Sequence, residues 1–373
     1  MTGATPNRWN AKSRRCAGKA EEAELSGRTD QSLEAPNGSE RDKSSLGRVF
    51  DVAAIDATAR FCGIVRMVDA QSRAVGSEPL CEDAQRVEEE FWRLVHVLAA
   101  EIDVCRSNPM VRQRVRALLV PWLRASRFWD RALFNARGPG RDFQLLEWIY
   151  ELEEELVSGL EENGVANVLD DVFSRLASVS GVWYRRSWCR DLIASTIGRL
   201  ERPIRIMDVG CGGSRYTRDV LRLHSDSIRF AGTDEDPSAI AFLRTMLPGN
   251  ALDRVGLLCT SLDYLPDLVP TPMLPEAGFD VVLSTNIFDD LDDAAAVCLL
   301  RHMSSLTRPG GVTAICTSTP DEKFGTISEW VSDMPIHYRD PSMVLSLFPI
   351  ELRALVDVTT SPDQTTVCAR VVK

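Results

Sequence analysis

The sequence predicts two architectures in series: an all-helical domain, then an α/β domain with a mostly parallel sheet that ends in an antiparallel hairpin. Three observations carry this. Apolar residues recur with helical period from about Leu46 to Arg202. From Pro203 onward, short runs rich in Ile, Val and Phe alternate with helical stretches. The last two runs are separated only by Ser361-Pro362-Asp363-Gln364. Alternation implies parallel strands joined by crossover helices. A gap of that length is too short for a crossover, so the final pair must be a hairpin.

Residues 1–45 have few large apolar side chains and nearly balanced charge, with eight Lys/Arg and seven Asp/Glu. Such a segment buries too little to offset its ordering entropy, and a disordered tail is expected. The helical stripes follow in order: Val49 to Val65, Phe91 to Leu98, Leu118 to Leu123, Leu145 to Leu152, and Val168 to Leu176. Pro121 should kink or restart the third. The strand runs are Ile204–Val209, Ile228–Thr233, Val255–Cys259, Phe279–Ser284, Val312–Thr317, Ala354–Thr359 and Thr366–Val371. The expected division is therefore tail 1–45, helical domain 46–202 and sheet domain 203–373.

Composition narrows the function. The net charge is −11, and the acidic excess lies outside the tail. An acidic globule repels phosphate backbones, so nucleic acid is not an expected partner. No stretch approaches ~18 uninterrupted apolar residues, and the tail lacks the apolar core of a signal peptide, so neither a membrane span nor secretion is expected. The ten cysteines form no C-x-x-C pair; they read as reduced thiols of a cytoplasmic protein, with no metal site. A homodimer is an open expectation.

The chemistry is concentrated after Pro203. The first strand ends in Met207-Asp208-Val209-Gly210-Cys211-Gly212-Gly213-Ser214, where glycines allow a sharp turn and close ligand approach. A dinucleotide fingerprint would want Gly or Ala three residues after Gly212, and that position is Arg215. The second strand ends in Asp234-Glu235, acids suited to accepting ribose hydroxyls. The third leads to Ser261-Leu262-Asp263, the fourth to Ser284-Thr285-Asn286, and Arg308-Pro309-Gly310-Gly311 precedes the fifth. In this order the motifs resemble the class I S-adenosylmethionine-dependent methyltransferases across roughly residues 203–373.

That resemblance implies a Rossmann-like seven-stranded methyltransferase sheet and S-adenosyl-L-methionine as cofactor. It implies that Gly210 and Gly212 face the methionine and ribose part, with Asp208 supporting the turn. Asp234, with Glu235 beside it, would hold the ribose hydroxyls. Ser261 and Leu262 stand at the adenine edge, with Ser261 replacing the usual acid and Asp263 a substitute two residues on. Asn286 would lie near the reacting sulfonium. Ser214 takes the place of the terminal motif glycine.

The acceptor site is expected from the helical domain. Arg137-Gly138-Pro139-Gly140-Arg141-Asp142, with Trp148-Ile149-Tyr150, is similar to a stretch of the 3-hydroxypalmitic acid methyl ester biosynthesis proteins, in which a helical half also precedes the methyltransferase core; Arg141 interrupts the usual glycine–aspartate pair. Asp142 suits a helix N-cap. In Val182-Trp183-Tyr184-Arg185-Arg186-Ser187-Trp188, aromatic faces suit a sulfonium and arginines a carboxylate. The other reading packs Trp183 and Trp188 between domains, with arginines offsetting acidic surface. Glu151, Glu153, Glu154 and Glu155 read as a solvated helix face, and Asp289 and Asp290 as a solvated helix start. The candidate catalytic residues are Tyr184, Arg186, Arg137 and Asn286.

The leading function is methyl transfer to a small-molecule oxygen, plausibly a carboxylate of secondary or fatty-acid-derived metabolism, which needs no general base. The alternatives are a non-methylating use of the same cofactor, by cyclisation to azetidine-2-carboxylate or aminocarboxypropyl transfer with release of methylthioadenosine, and a catalytically silent binding module.

Overall fold

The computed structural model describes residues 40–75, 81–134, 142–154, 164–200, 202–262, 278–320, 322–331 and 336–373. Eight of its helices precede the sheet: α1 (Glu40–Val75), α2 (Cys81–Ala100), α3 (Ile102–Ser107), α4 (Pro109–Leu123), α5 (Arg127–Phe134), α6 (Phe143–Glu153), α7 (Val165–Ser174) and α8 (Ala177–Arg199). Most of the expected tail lies outside the described residues, and α1 begins at Glu40. Pro121 lies inside α4, which ends two residues later at Leu123.

The helical core is aromatic. Phe61, Phe91, Trp129, Phe173 and Phe128 form a chain of ring contacts with centroids 5.2–5.8 Å apart. Trp129 Nε1 donates to the Leu169 carbonyl at 3.1 Å, so the buried indole keeps its polar atom paired. A later segment completes this core. Helix α12 (Glu322–Val331), which follows the fifth strand, inserts Ile327, Trp330 and Val331, and Trp330 Nε1 donates to the Leu98 carbonyl at 2.8 Å. The chain thus leaves the sheet once to close the helical layer.

The sheet has seven strands: β1 (Ile204–Val209), β2 (Ile228–Asp234), β3 (Val255–Cys259), β4 (Phe279–Ser284), β5 (Thr307–Ser318), β6 (Asp357–Thr360) and β7 (Thr366–Val372). Their order is β3-β2-β1-β4-β5-β7-β6. The first five pair in parallel; β7 runs antiparallel to both β5 and β6. The mixed sheet, its terminal hairpin and the preceding helices agree with the sequence reading.

Period-two alternation covers both faces, as a buried sheet requires. On one, Ile204, Ile206, Val281, Leu283, Ala314 and Cys316 pack under α8, α9 (Arg215–His224) and α10 (Pro237–Met246). On the other, Val209, Val282, Ile315, Val367 and Ala369 meet α11 (Asp293–Leu306) and α13 (Pro341–Ser346). No described helix is long and apolar enough to cross a membrane.

Candidate functional site

Strand order reverses beside β1, whose neighbours are β2 and β4. Open α/β sheets bind ligands outside the carboxyl ends of the strands at such a reversal. Here β1 ends in a turn that places Gly210 at φ +67° and Gly212 at φ +50°, a region that glycine enters without steric cost. A Cβ on Gly210 would lie 1.8 Å from Cδ1 of Ile287, so the loop after β4 closes directly over the turn. Ser214 is also left-handed, at φ 42° and ψ 49°, which costs a non-glycine residue roughly 1 kcal/mol. Its hydroxyl offsets part of that cost by donating to Asp208 Oδ2 at 2.6 Å.

Asp208 lies at the core of the turn and is fully buried. Oδ2 also accepts from the Tyr216 hydroxyl at 2.7 Å, whereas Oδ1 is buried without a partner among the described residues. Burial pushes the Asp208 carboxyl from 3.8 up to about 7; the two hydroxyls pull it down and Asp234 adds to the rise. At the tip of β2, Asp234 Oδ2 accepts the Gly212 amide at 2.8 Å and Oδ1 the Asp236 amide at 2.9 Å. Burial raises its carboxyl, and those two amides oppose the rise. Asp208, bonded to Ser214 and Tyr216, and Asp234, bonded to the Gly212 and Asp236 amides, thus lie on either side of the glycine turn. Glu235 is exposed beside it. The Thr260 amide donates to the Asp234 carbonyl at 2.9 Å, which ties the end of β3 to that of β2; Ser261 and Leu262 follow, half-buried. Asp263 lies outside the described residues.

The second half of the site surrounds Asn286. Its Oδ1 accepts from Arg185 Nη1 at 2.5 Å. That same nitrogen donates to the Thr285 carbonyl at 3.1 Å and to Asp289 Oδ2 at 3.0 Å, while Nη2 donates to Ser318 Oγ at 2.7 Å. Asp289 in turn accepts from Thr317 Oγ1 at 2.8 Å and the Ser318 amide at 2.7 Å. A buried arginine of α8 thus pins the ends of β4 and β5 together. Sequence reasoning passed over Arg185 for its neighbours and gave Asp289 a solvated place; the available signal was an arginine on the apolar side of an otherwise inward-facing helix.

The remaining candidates lie elsewhere. Arg186 points away from the strand ends into a carboxylate cluster: it donates to Glu153 at 2.7 Å, to Asp219 at 2.8 Å and to Glu154. Arg215 also binds Glu154, and Arg218 binds Glu147. Glu154, half-buried between Arg186 and Arg215, is thus not solvated as the sequence suggests, whereas Glu153 pairs with Arg186 and remains exposed. The Tyr184 hydroxyl bonds Thr359 on β6, the far edge of the sheet from β1. Arg137 and Glu155 lie outside the described residues. Trp183 packs on the helical core and Trp188 on the core under the sheet.

The helical half reaches the turn directly. Asp142 caps α6 by accepting the Gln144 amide at 3.0 Å. The next residue, Phe143, contacts Gly212, with its Cβ 3.3 Å from where a side chain would begin, and its ring lies 5.1 Å from that of Phe242 on α10. Among the described residues, no group of His, Cys, Asp or Glu is arranged to hold a metal ion.

Comparison with known proteins finds methyltransferases. Residues 206–311 match the family model described as a methyltransferase domain. Over 142 residues the chain is 30% identical to a protein of Mesorhizobium japonicum named ubiquinone biosynthesis O-methyltransferase, a match covering 36% of this chain and 51% of that protein; the chain spans about half the length of this curated relative. Among solved structures, a protein of Bordetella parapertussis described as a possible exported protein aligns over 90% of this chain and 99% of its own, with a TM-score of 0.45 and 15% identity. Magnesium protoporphyrin IX methyltransferase from Synechocystis, solved with S-adenosylhomocysteine, aligns over 53% of this chain and 88% of its own, at 0.38 and 9%. The family match over β1 to β5 is consistent with a class I S-adenosylmethionine-dependent methyltransferase and with that cofactor.

Proposed function

We propose that this chain transfers the methyl group of S-adenosylmethionine to an oxygen of a small-molecule acceptor, with a carboxylate as the favoured nucleophile. The observation that carries the reading is the glycine turn at the end of β1, flanked by Asp208, which bonds Ser214, and by Asp234 of β2, which bonds the Gly212 amide. The residues present fit the cofactor. Gly210 and Gly212 offer backbone without side chains, Asp208 has a buried unpartnered oxygen, and the Asp234 oxygens, each holding one amide, retain lone pairs for two hydroxyls. Asp234 would hold the ribose, Asp208 would brace the turn, and Asn286 would lie beside the methionine end. Glu235, Ser261 and Leu262 would border the adenine.

When bound, the cofactor supplies an electrophilic methyl group, so the protein's part is largely orientation. Arg185 and Asp289 hold Asn286 and the ends of β4 and β5 in one arrangement, and Phe143 brings the helical half over the turn, where it excludes water. An ionised carboxylate acceptor needs no base to remove a proton. Arg186 and Tyr184 support the packing of α8 rather than the reaction in this reading. The acidic surface and the relative named as an O-methyltransferase both favour a small metabolite over nucleic acid.

The test uses S-adenosylmethionine carrying a deuterated methyl group, offered with separate pools of carboxylic acids and phenols. Label in a product that mild alkali cleaves identifies a methyl ester and supports the carboxylate. Label in an alkali-stable product moves the assignment to a phenolic oxygen, and no label in any oxygen product overturns the proposal.

A further inference from the structure

Three thiols meet beneath the Arg185 clamp: Cys189 on α8, Cys316 on β5 and Cys368 on β7, all buried. Cys316 and Cys368 are direct partners in the antiparallel register, with their sulfurs 2.9 Å apart; Cys189 also hydrogen-bonds Cys316. Cys316 lies two residues before Ser318, which receives Arg185.

We propose that Cys316 and Cys368 form a peroxide-sensitive dithiol site that closes into a cross-strand disulfide in the folded protein. Directly opposed antiparallel residues have Cα atoms roughly 4.5–5.5 Å apart, within the roughly 4.4–6.8 Å that a disulfide spans, so closure needs no movement of the strands. Cys316 is the attacking group. Burial pushes its thiol up, but the hydrogen bonds from Cys189 and Cys368 and the positive charge of Arg185 outweigh burial and hold it below the ordinary thiol value. The hydrogen bond to Cys316 and burial raise the Cys189 thiol, burial raises that of Cys368, and the Cys368 thiol donates to the Cys316 sulfur.

The chemistry balances with hydrogen peroxide, an oxidant of about the size of the water that buried sites admit. The Cys316 thiolate attacks one peroxide oxygen, the O–O bond breaks, and hydroxide leaves a sulfenic acid on Cys316. The Cys368 thiol then attacks that sulfur, the S–O bond breaks, and the hydroxyl leaves as water after taking up the thiol proton. In total, two thiols and one peroxide give one disulfide and two waters. The product joins β5 to β7 beside Arg185, which keeps its pair with Asp289.

The test treats the full-length native protein with hydrogen peroxide at about pH 6, alkylates the remaining thiols under denaturing conditions and maps the peptides by mass spectrometry. The expected result is a Cys316–Cys368 linked peptide, lost on reduction with dithiothreitol. It should form before the exposed Cys259 oxidises. In Cys368→Ser the link must vanish, and dimedone must trap a sulfenic acid on Cys316. The proposal is overturned if Cys316 and Cys368 stay alkylatable while Cys259 oxidises, if the link appears only in denaturant, or if Cys189 proves to be the partner. Mapping of the unmodified protein decides the matter even where a variant does not fold.

Discussion

Replacing Asp208 by asparagine isolates the titration of one buried carboxyl. In the native protein burial raises its pKa from 3.8 to about 7. The folded state therefore holds a proton that the unfolded chain releases. Stability from this group is fully present below the unfolded value and is lost as pH rises through the folded one. At roughly 1.4 kcal/mol per pKa unit, the whole rise corresponds to about 4 kcal/mol, of which about 2–3 kcal/mol falls between pH 5 and pH 7. In Asp208→Asn the carboxamide oxygen still accepts from Ser214 and Tyr216, while its NH2 group takes the place of the unpartnered Oδ1. The assay is urea denaturation of the cofactor-free protein and the variant at about pH 5 and about pH 7. Wild type should lose about 2–3 kcal/mol relative to the variant between the two. Equal pH dependence in both proteins would refute the placement of a neutral, buried carboxyl at the end of β1.

Three further outcomes are expected. Asp234→Ala should weaken S-adenosylmethionine binding by ~1–3 kcal/mol in calorimetric titration, because ribose hydroxyls lose their acceptor; unchanged affinity would mean that β2 does not deliver the ribose ligand. Arg186→Ala removes the arginine partner of Glu153 and one of two partners of Glu154, which Arg215 still binds, and should lower stability by about 1–3 kcal/mol, read in urea, while the product ratio of any turnover stays the same. Trp330→Ala empties a fully buried site between α12 and the helical core and should cost about 3–5 kcal/mol; a loss under 1 kcal/mol would show that α12 is not part of that core.

The central strands β1 and β4 were legible in the sequence because both their faces are covered, where burial demands a continuous apolar run; Ile204–Val209 and Phe279–Ser284 were read to the residue. The glycine turn was legible because a positive φ restricts residue type. What stayed hidden depends on contacts distant in sequence. Trp330 joins a core built by residues some 200 positions earlier, and no local pattern encodes that. Arg185 and Arg186 are adjacent and alike in composition; helix phase turns one to the strand ends and the other to a carboxylate cluster, and only the docking of α8 decides which. Asp289 reads as a helix start until Arg185 arrives to pair with it.

The most direct measurement is identification of the nucleoside released from S-adenosylmethionine by the pure protein, by mass spectrometry, with and without carboxylic-acid acceptors. S-adenosylhomocysteine that accumulates only when an acceptor is present is the predicted result. Methylthioadenosine formed without any acceptor would contradict methyl transfer and assign the site to attack at another carbon of the sulfonium.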